Sequence, residues 1–171
     1  FLALAPDGLA PVGGYPGNDE DGKIMQAKLD KMQLYTDMLN SARYLQEHSL
    51  STGKLGATGF CYGGGVVNQL AVDMGSDLKA GVPFYGAAPA SQNVANIKAA
   101  LMIKYAEDDP RINAMREDYE AALKAAGTRY TMFSYPGTRH GFHHYSTPRY
   151  NEEQASLAWQ RSLAFFREHL G

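Results

Sequence analysis

Hydrophobic positions in this chain fall into two patterns, short unbroken apolar runs and longer stretches in which apolar residues recur every three or four positions. The first pattern marks buried strands and the second amphipathic helices. Residues 1–5 (FLALA) form an apolar run closed by Pro6, Asp7 and Gly8, which predicts a buried strand ending in a turn. Residues 8–22 hold five glycines and two prolines and predict a long irregular loop. Across 23–48, Met25, Leu29, Met32, Tyr35, Leu39 and Ala42 share one helical face, predicting a single helix with that stripe in the core. A strand over 54–58 and a helix over 66–74 follow. Residues 80–85 (AGVPFY) predict a strand despite Pro83, and 86–96 a polar loop with room for a short helix. Residues 99–105 (AALMIKY) predict another strand, 113–126 a helix stopped by Gly127, 129–135 a strand, and about 152–170 a last helix.

Strands alternating with helices predict a doubly wound α/β domain with a mostly parallel sheet. We read residues 1–171 as one such domain, since the chain shows no repeat, low-complexity tract or linker. Composition narrows the function. A net charge of −2 gives no electrostatic case for nucleic acid or an anionic membrane. The one cysteine excludes an internal disulfide and a cysteine-cluster metal site, and the apolar runs are too short to span a bilayer. No signal-like segment is visible, so a cytoplasmic location is expected.

In an open α/β sheet functional groups gather at the carboxyl ends of the strands, which selects the loops after Thr58, Tyr105 and Tyr135. Residues 59–65 read GFCYGGG, a strand-to-helix turn with Cys61 where a nucleophile elbow carries its serine. Glycines at 59 and 63 suit such a turn, because side chains there would meet neighbouring backbone. The N–H of Tyr62 is then available to an oxyanion. The second loop holds Asp108 and Asp109, and the third holds His140. Nucleophile, acid and histidine thus follow the chain order of an α/β-hydrolase triad. Each residue also has a plainer reading. Cys61 could be a buried inert thiol, Asp109 a helix cap before Pro110, and His140 a structural histidine or, with His143 and His144, part of a metal site. Three such residues in this order favour catalysis.

GFCYGGG around Cys61, YAEDDPRI around Asp109, YPGTRHGF around His140 and the opening LAPD together resemble the dienelactone hydrolase family over essentially the whole chain. The resemblance implies an α/β-hydrolase fold and a Cys61-His140-Asp109 triad, with Asp108 as the fallback acid. It implies hydrolysis of esters or lactones without metal or organic cofactor, with the Tyr62 N–H as one oxyanion donor. Tyr85, Phe142 and His144 are expected at the substrate. The family pattern carries two arginines for a substrate carboxylate where this chain has Pro11 and His144, so a less acidic ester or lactone is expected. The family's opening strands, its second oxyanion donor and a glutamate near the cysteine would all precede Phe1. A sheet lacking its N-terminal strands is therefore expected, completed by a separate N-terminal fragment or by a second copy in a homodimer. The competing function is a non-catalytic remnant of the fold that binds a small molecule or a partner.

Overall fold

The computed structural model describes residues 1–171, which divide into two compact units, residues 1–53 and 54–171. In the first unit residues 1–5 take no regular secondary structure, contrary to the strand expected there. An apolar run becomes a strand only when a neighbour completes its ladder, and the sheet is built wholly from residues 55–139. A 3-10 turn at Ala10–Val12 precedes helices α1 (Asp19–Gln26) and α2 (Lys31–Glu47). The single helix expected over 23–48 is therefore two. Asp30 divides them: its carboxylate accepts from the N–H groups of Met32 and Gln33 and starts a new helix. Asn18 caps α1 in the same way through Asp21. No residue of α2 is buried and Met32 is 77% exposed, so the stripe does not form a core. Two helices and a turn are too few elements to enclose it.

The second unit is the α/β body. Strands β1 (Leu55–Phe60), β2 (Leu78–Phe84), β3 (Ala100–Asp108) and β4 (Tyr130–Arg139) lie side by side in chain order, and every pairing is parallel. Helix α3 (Tyr62–Met74) links β1 to β2, and a 3-10 segment at Ser91–Asn96 leads to β3. Helices α4 (Pro110–Asn113) and α5 (Arg116–Ala125) lead to β4, and α6 (Glu152–Leu170) ends the chain. Successive side chains of a strand point to opposite faces. On β3, Lys104 reaches Ser162 of α6, while Tyr105 meets the guanidinium of Arg116 on α5. Helices therefore cover both faces. α3 and α5 are joined by a bond from the Tyr119 hydroxyl to Asn68, and α6 crosses the other face.

The core under α6 is formed by Val82, Phe84, Tyr135, Phe142 and Phe165 with small alanines between them. The β2–β3 ladder pairs Gly81 with Leu101 and then Phe84 with Lys104, passing over Pro83, which has no N–H to give. Strands β3 and β4 run further than the sequence pattern predicted, to Asp108 and Arg139, and these two residues pair across the ladder. That extension matters for function, because Asp109 and His140 are the next residues along each strand. No helix is long and apolar enough to cross a membrane.

Candidate active site

The turn after β1 is strained at one residue. Cys61 holds φ 54 and ψ −114, a combination that costs a non-glycine residue on the order of 1–3 kcal/mol. Two backbone bonds fix it there: Cys61 N–H donates to Phe84 O at 3.1 Å, and Gly65 N–H donates to Cys61 O at 3.2 Å. The thiol is left exposed at the head of α3. Tyr62 is the first residue of that helix, so its N–H has no intrahelical acceptor.

The glycines around the cysteine are not equivalent. A Cβ on Gly59 would lie 2.3 Å from Gly63 O, as the motif predicts, but one on Gly63 would meet nothing within 4 Å. The tight partner that the sequence did not suggest is Gly86, where a Cβ would lie 2.1 Å from the Gly64 carbonyl carbon. Gly86→Ala should therefore abolish the cooperative thermal transition. Gly63→Ala should leave Tm unchanged or slightly raised, since alanine favours the helix by about 0.5–1 kcal/mol. Equal destabilisation by both would mean that close backbone approach is not what selects these glycines.

Asp109 and His140 meet because β3 and β4 end together. The Glu107 carboxylate accepts the Gly137 N–H at 2.8 Å and the Thr138 hydroxyl accepts the Glu107 N–H at 3.4 Å, which ties the two strand ends. Asn113, the last residue of α4, donates to Ala106 O and Glu107 O. Asp109 is 5% exposed and has two tasks. Its Oδ1 accepts the Ile112 N–H at the head of α4, and its Oδ2 lies 2.5 Å from His140 Nδ1. Asp108 instead points outward to Arg139, 3.4 Å away and largely exposed. Asp109 and not Asp108 is thus the carboxylate beside the histidine.

His140 Nε2 lies 3.0 Å from Cys61 Sγ. Three strand spacings, roughly 14 Å, separate β1 from β4 in a flat sheet, so the imidazole has to reach back across the strand ends. It rests there against Tyr85, ring centroids 4.9 Å apart. Tyr85 is 2% exposed and Phe142 0%. Both were expected at the substrate; the end of β2 and the turn after His140 carry them into the core under α6, with Tyr85 between the imidazole and Phe142 in ring contacts. Burial pushes the Tyr85 phenol up to about 12; the neighbouring Cys61 adds to the rise, and the His143 amide and Arg149 oppose it. His144 is exposed, with Nδ1 on the Ser146 hydroxyl and its ring stacked on Tyr145. His143 packs against Phe60, Phe84 and Trp159, and burial lowers its pKa. No three His, Cys, Asp or Glu side chains gather at metal-binding distance. The Phe84 carbonyl and Gly86 were not legible as site elements, since neither carries a chemically marked side chain.

A parallel α/β sheet with a strained cysteine turn at one strand end, and an Asp-His pair converging on it, is an α/β-hydrolase architecture. The model of the dienelactone hydrolase family matches residues 1–170, and the chain belongs to that family. Protein usf of Aquifex pyrophilus is 32% identical over 183 residues, covering 99% of this chain and 76% of that protein. A relative from Saccharolobus solfataricus, provisionally named a carboxymethylenebutenolidase, is 30% identical over 156 residues; the match takes in 87% of this chain but only 59% of the relative. Among solved structures, a provisionally named dienelactone hydrolase from Klebsiella pneumoniae superposes with a TM-score of 0.74 at 26% identity, covering 90% of this chain and 68% of that one.

Proposed function

We propose that this chain carries the catalytic centre of a thiol-dependent hydrolase of small carboxylic esters or lactones. The observation that supports it most is the continuous line from Asp109 Oδ2 through both nitrogens of His140 to Cys61 Sγ, at 2.5 and 3.0 Å. In this reading His140 takes the thiol proton and Asp109 holds the imidazole and stabilises its charged form. The thiolate attacks the carbonyl carbon, and the electron pair moves to the carbonyl oxygen, beside the Tyr62 N–H. Collapse breaks the C–O bond, His140 protonates the departing alkoxide, and an acyl-thioester remains on Cys61. His140 then removes a proton from water, the hydroxide attacks the thioester, and the acid leaves as the thiolate re-forms. No metal or organic cofactor enters these steps.

The substrate side rests on charge. Pro11 and His144 stand where the family pattern has arginines, and His144 is occupied by Ser146. Arg139 is paired with Asp108, and the Arg149 guanidinium lies along Gly141, one residue from His140. An ester or lactone without a required carboxylate fits this set best.

The test is nitrophenol release from p-nitrophenyl acetate, with Cys61→Ala measured alongside. The expected result is a burst near one equivalent per chain that is absent in the variant. Equal slow release from both proteins would overturn the reading and favour a non-catalytic binding domain.

A further inference from the structure

The second backbone outlier of the chain is also at the site. Apart from Cys61, Tyr85 is the one non-glycine residue with positive φ, at 36. A bulky aromatic held there is strained, and such strain persists only where the surroundings fix it. They do so on three sides. The Tyr85 N–H donates to Lys104 O at 2.7 Å, anchoring the residue to β3. Phe84 before it supplies the carbonyl that accepts the Cys61 N–H. Gly86 after it lies against the backbone of Gly64 and Gly65 at the start of α3.

The same residue faces the base. Its ring lies 4.9 Å from the His140 imidazole, tilted by 57°, and 5.5 Å from Phe142 on the other side. The His143 backbone amide draws the pKa of the phenol down against the effect of burial. His143 belongs to the turn that leaves His140, closed by bonds from Phe142 N–H to Arg139 O and from His144 N–H to Gly141 O. Residues 84–86 therefore hold the nucleophile's amide with one carbonyl and back the histidine with the next side chain.

We propose that Tyr85 is a positioning residue: its ring sets the angle of His140, so that Nε2 stays within reach of Cys61 Sγ. A packed aromatic wall does this better than an aliphatic one, because a rigid ring leaves the imidazole little room to rotate about χ2. Tyr85 does not touch the reacting atoms in this account. The proposal rests on the catalytic reading of Cys61 and His140.

The test compares Tyr85→Met and Tyr85→Phe with the native full chain in two assays. One is steady-state hydrolysis of p-nitrophenyl acetate. The other is the second-order rate of Cys61 alkylation by iodoacetamide at pH 7, which needs no hydrolase turnover. For Tyr85→Met the expected result is a fall in kcat of roughly 100-fold with KM within about threefold, the scale of a misplacement near 1 Å, and a parallel loss of alkylation rate. Tyr85→Phe keeps the ring, so it should stay within about threefold of the native chain in both assays, and a loss equal to that of Tyr85→Met would overturn the role of the ring. A folded Tyr85→Met with native kcat and native alkylation rate overturns the proposal. If that variant does not fold, Tyr85→Leu takes its place in the same two assays, and native values in it overturn the proposal. Failure of the catalytic reading looks different: Cys61→Ala would then hydrolyse the ester as fast as the native chain, whatever Tyr85 does.

Discussion

Asp109→Asn should lower kcat by about 10⁴-fold while leaving the fold intact, the scale found when the acid of a triad becomes an amide. The double task of Asp109 makes this substitution informative. As the cap of α4 it accepts the Ile112 N–H through Oδ1, and asparagine caps a helix about as well as aspartate. Stability should therefore fall by less than about 1 kcal/mol. The second oxygen is the one that faces His140 Nδ1. An amide NH2 placed there donates, so Nδ1 has to accept and the proton moves to Nε2, the nitrogen that faces the Cys61 thiol. A base with its proton on that side cannot take another. Asp108→Asn serves as the control and should change kcat by less than about threefold, because its exposed pair with Arg139 does not touch the histidine. The measurements are kcat for p-nitrophenyl acetate and thermal unfolding of each variant. A native kcat in Asp109→Asn would reduce Asp109 to a helix cap.

Lys104→Met should stabilise the protein at neutral pH. The Lys104 side chain is fully buried on β3. Nζ donates to Ala158 O and to the Ser162 hydroxyl, and lies 4.6 Å from the Phe84 ring centre. Its remaining surroundings are aromatic rings, and the nearby cation Arg161 adds repulsion. Burial first, and Arg161 second, bring its pKa down from 10.5 to about 7. Between those two values the unfolded chain binds a proton that the folded chain does not, so stability rises with pH across that window. Below about pH 7 both states are protonated and the penalty of a buried ammonium is constant and greatest. At about 1.4 kcal/mol per pH unit the window corresponds to a few kcal/mol, roughly 2–4 after local relaxation.

Methionine has similar length and no charge to bury. Its removal of Nζ also leaves no orphan, since the Ser162 hydroxyl still donates to Ala158 O. The gain over the native chain should be largest at pH 6–7 and shrink towards zero near pH 10. Denaturant unfolding at several pH values between 6 and 10 measures it. A Lys104→Met variant that is less stable at pH 7, or a difference that does not vary with pH, would mean that the hydrogen bonds to α6 outweigh the burial of the charge.

Apolar runs were enough to place β2 and β3, which are buried on both faces and carry a nearly continuous apolar signal. The weaker signals of β1 and β4 were legible from the glycine turn that follows the one and the alternation within the other. The first 53 residues were harder to read. FLALA has a strand's composition, but a strand exists only in a ladder and none forms there. The stripe over 23–48 hides the boundary at Asp30, because a capping carboxylate can restart a helix without disturbing the apolar spacing.

By itself the sequence determined the chemical types of the site and their order: a cysteine between glycines, an acid before a proline, and a histidine after a strand. Those signals are local, since a sharp turn demands glycine and a strand end demands a turn. The resemblance already favoured Asp109 over Asp108, and the tertiary structure supplies the physical reason: the register pairing Asp108 with Arg139 sends one side chain outward and the next inward. It also decided that Tyr85 and Phe142 are buried, and that Gly86 and not Gly63 is sterically obligatory. These are long-range contacts between strand ends far apart in the chain, and no periodicity of residues encodes which backbone will lie against which.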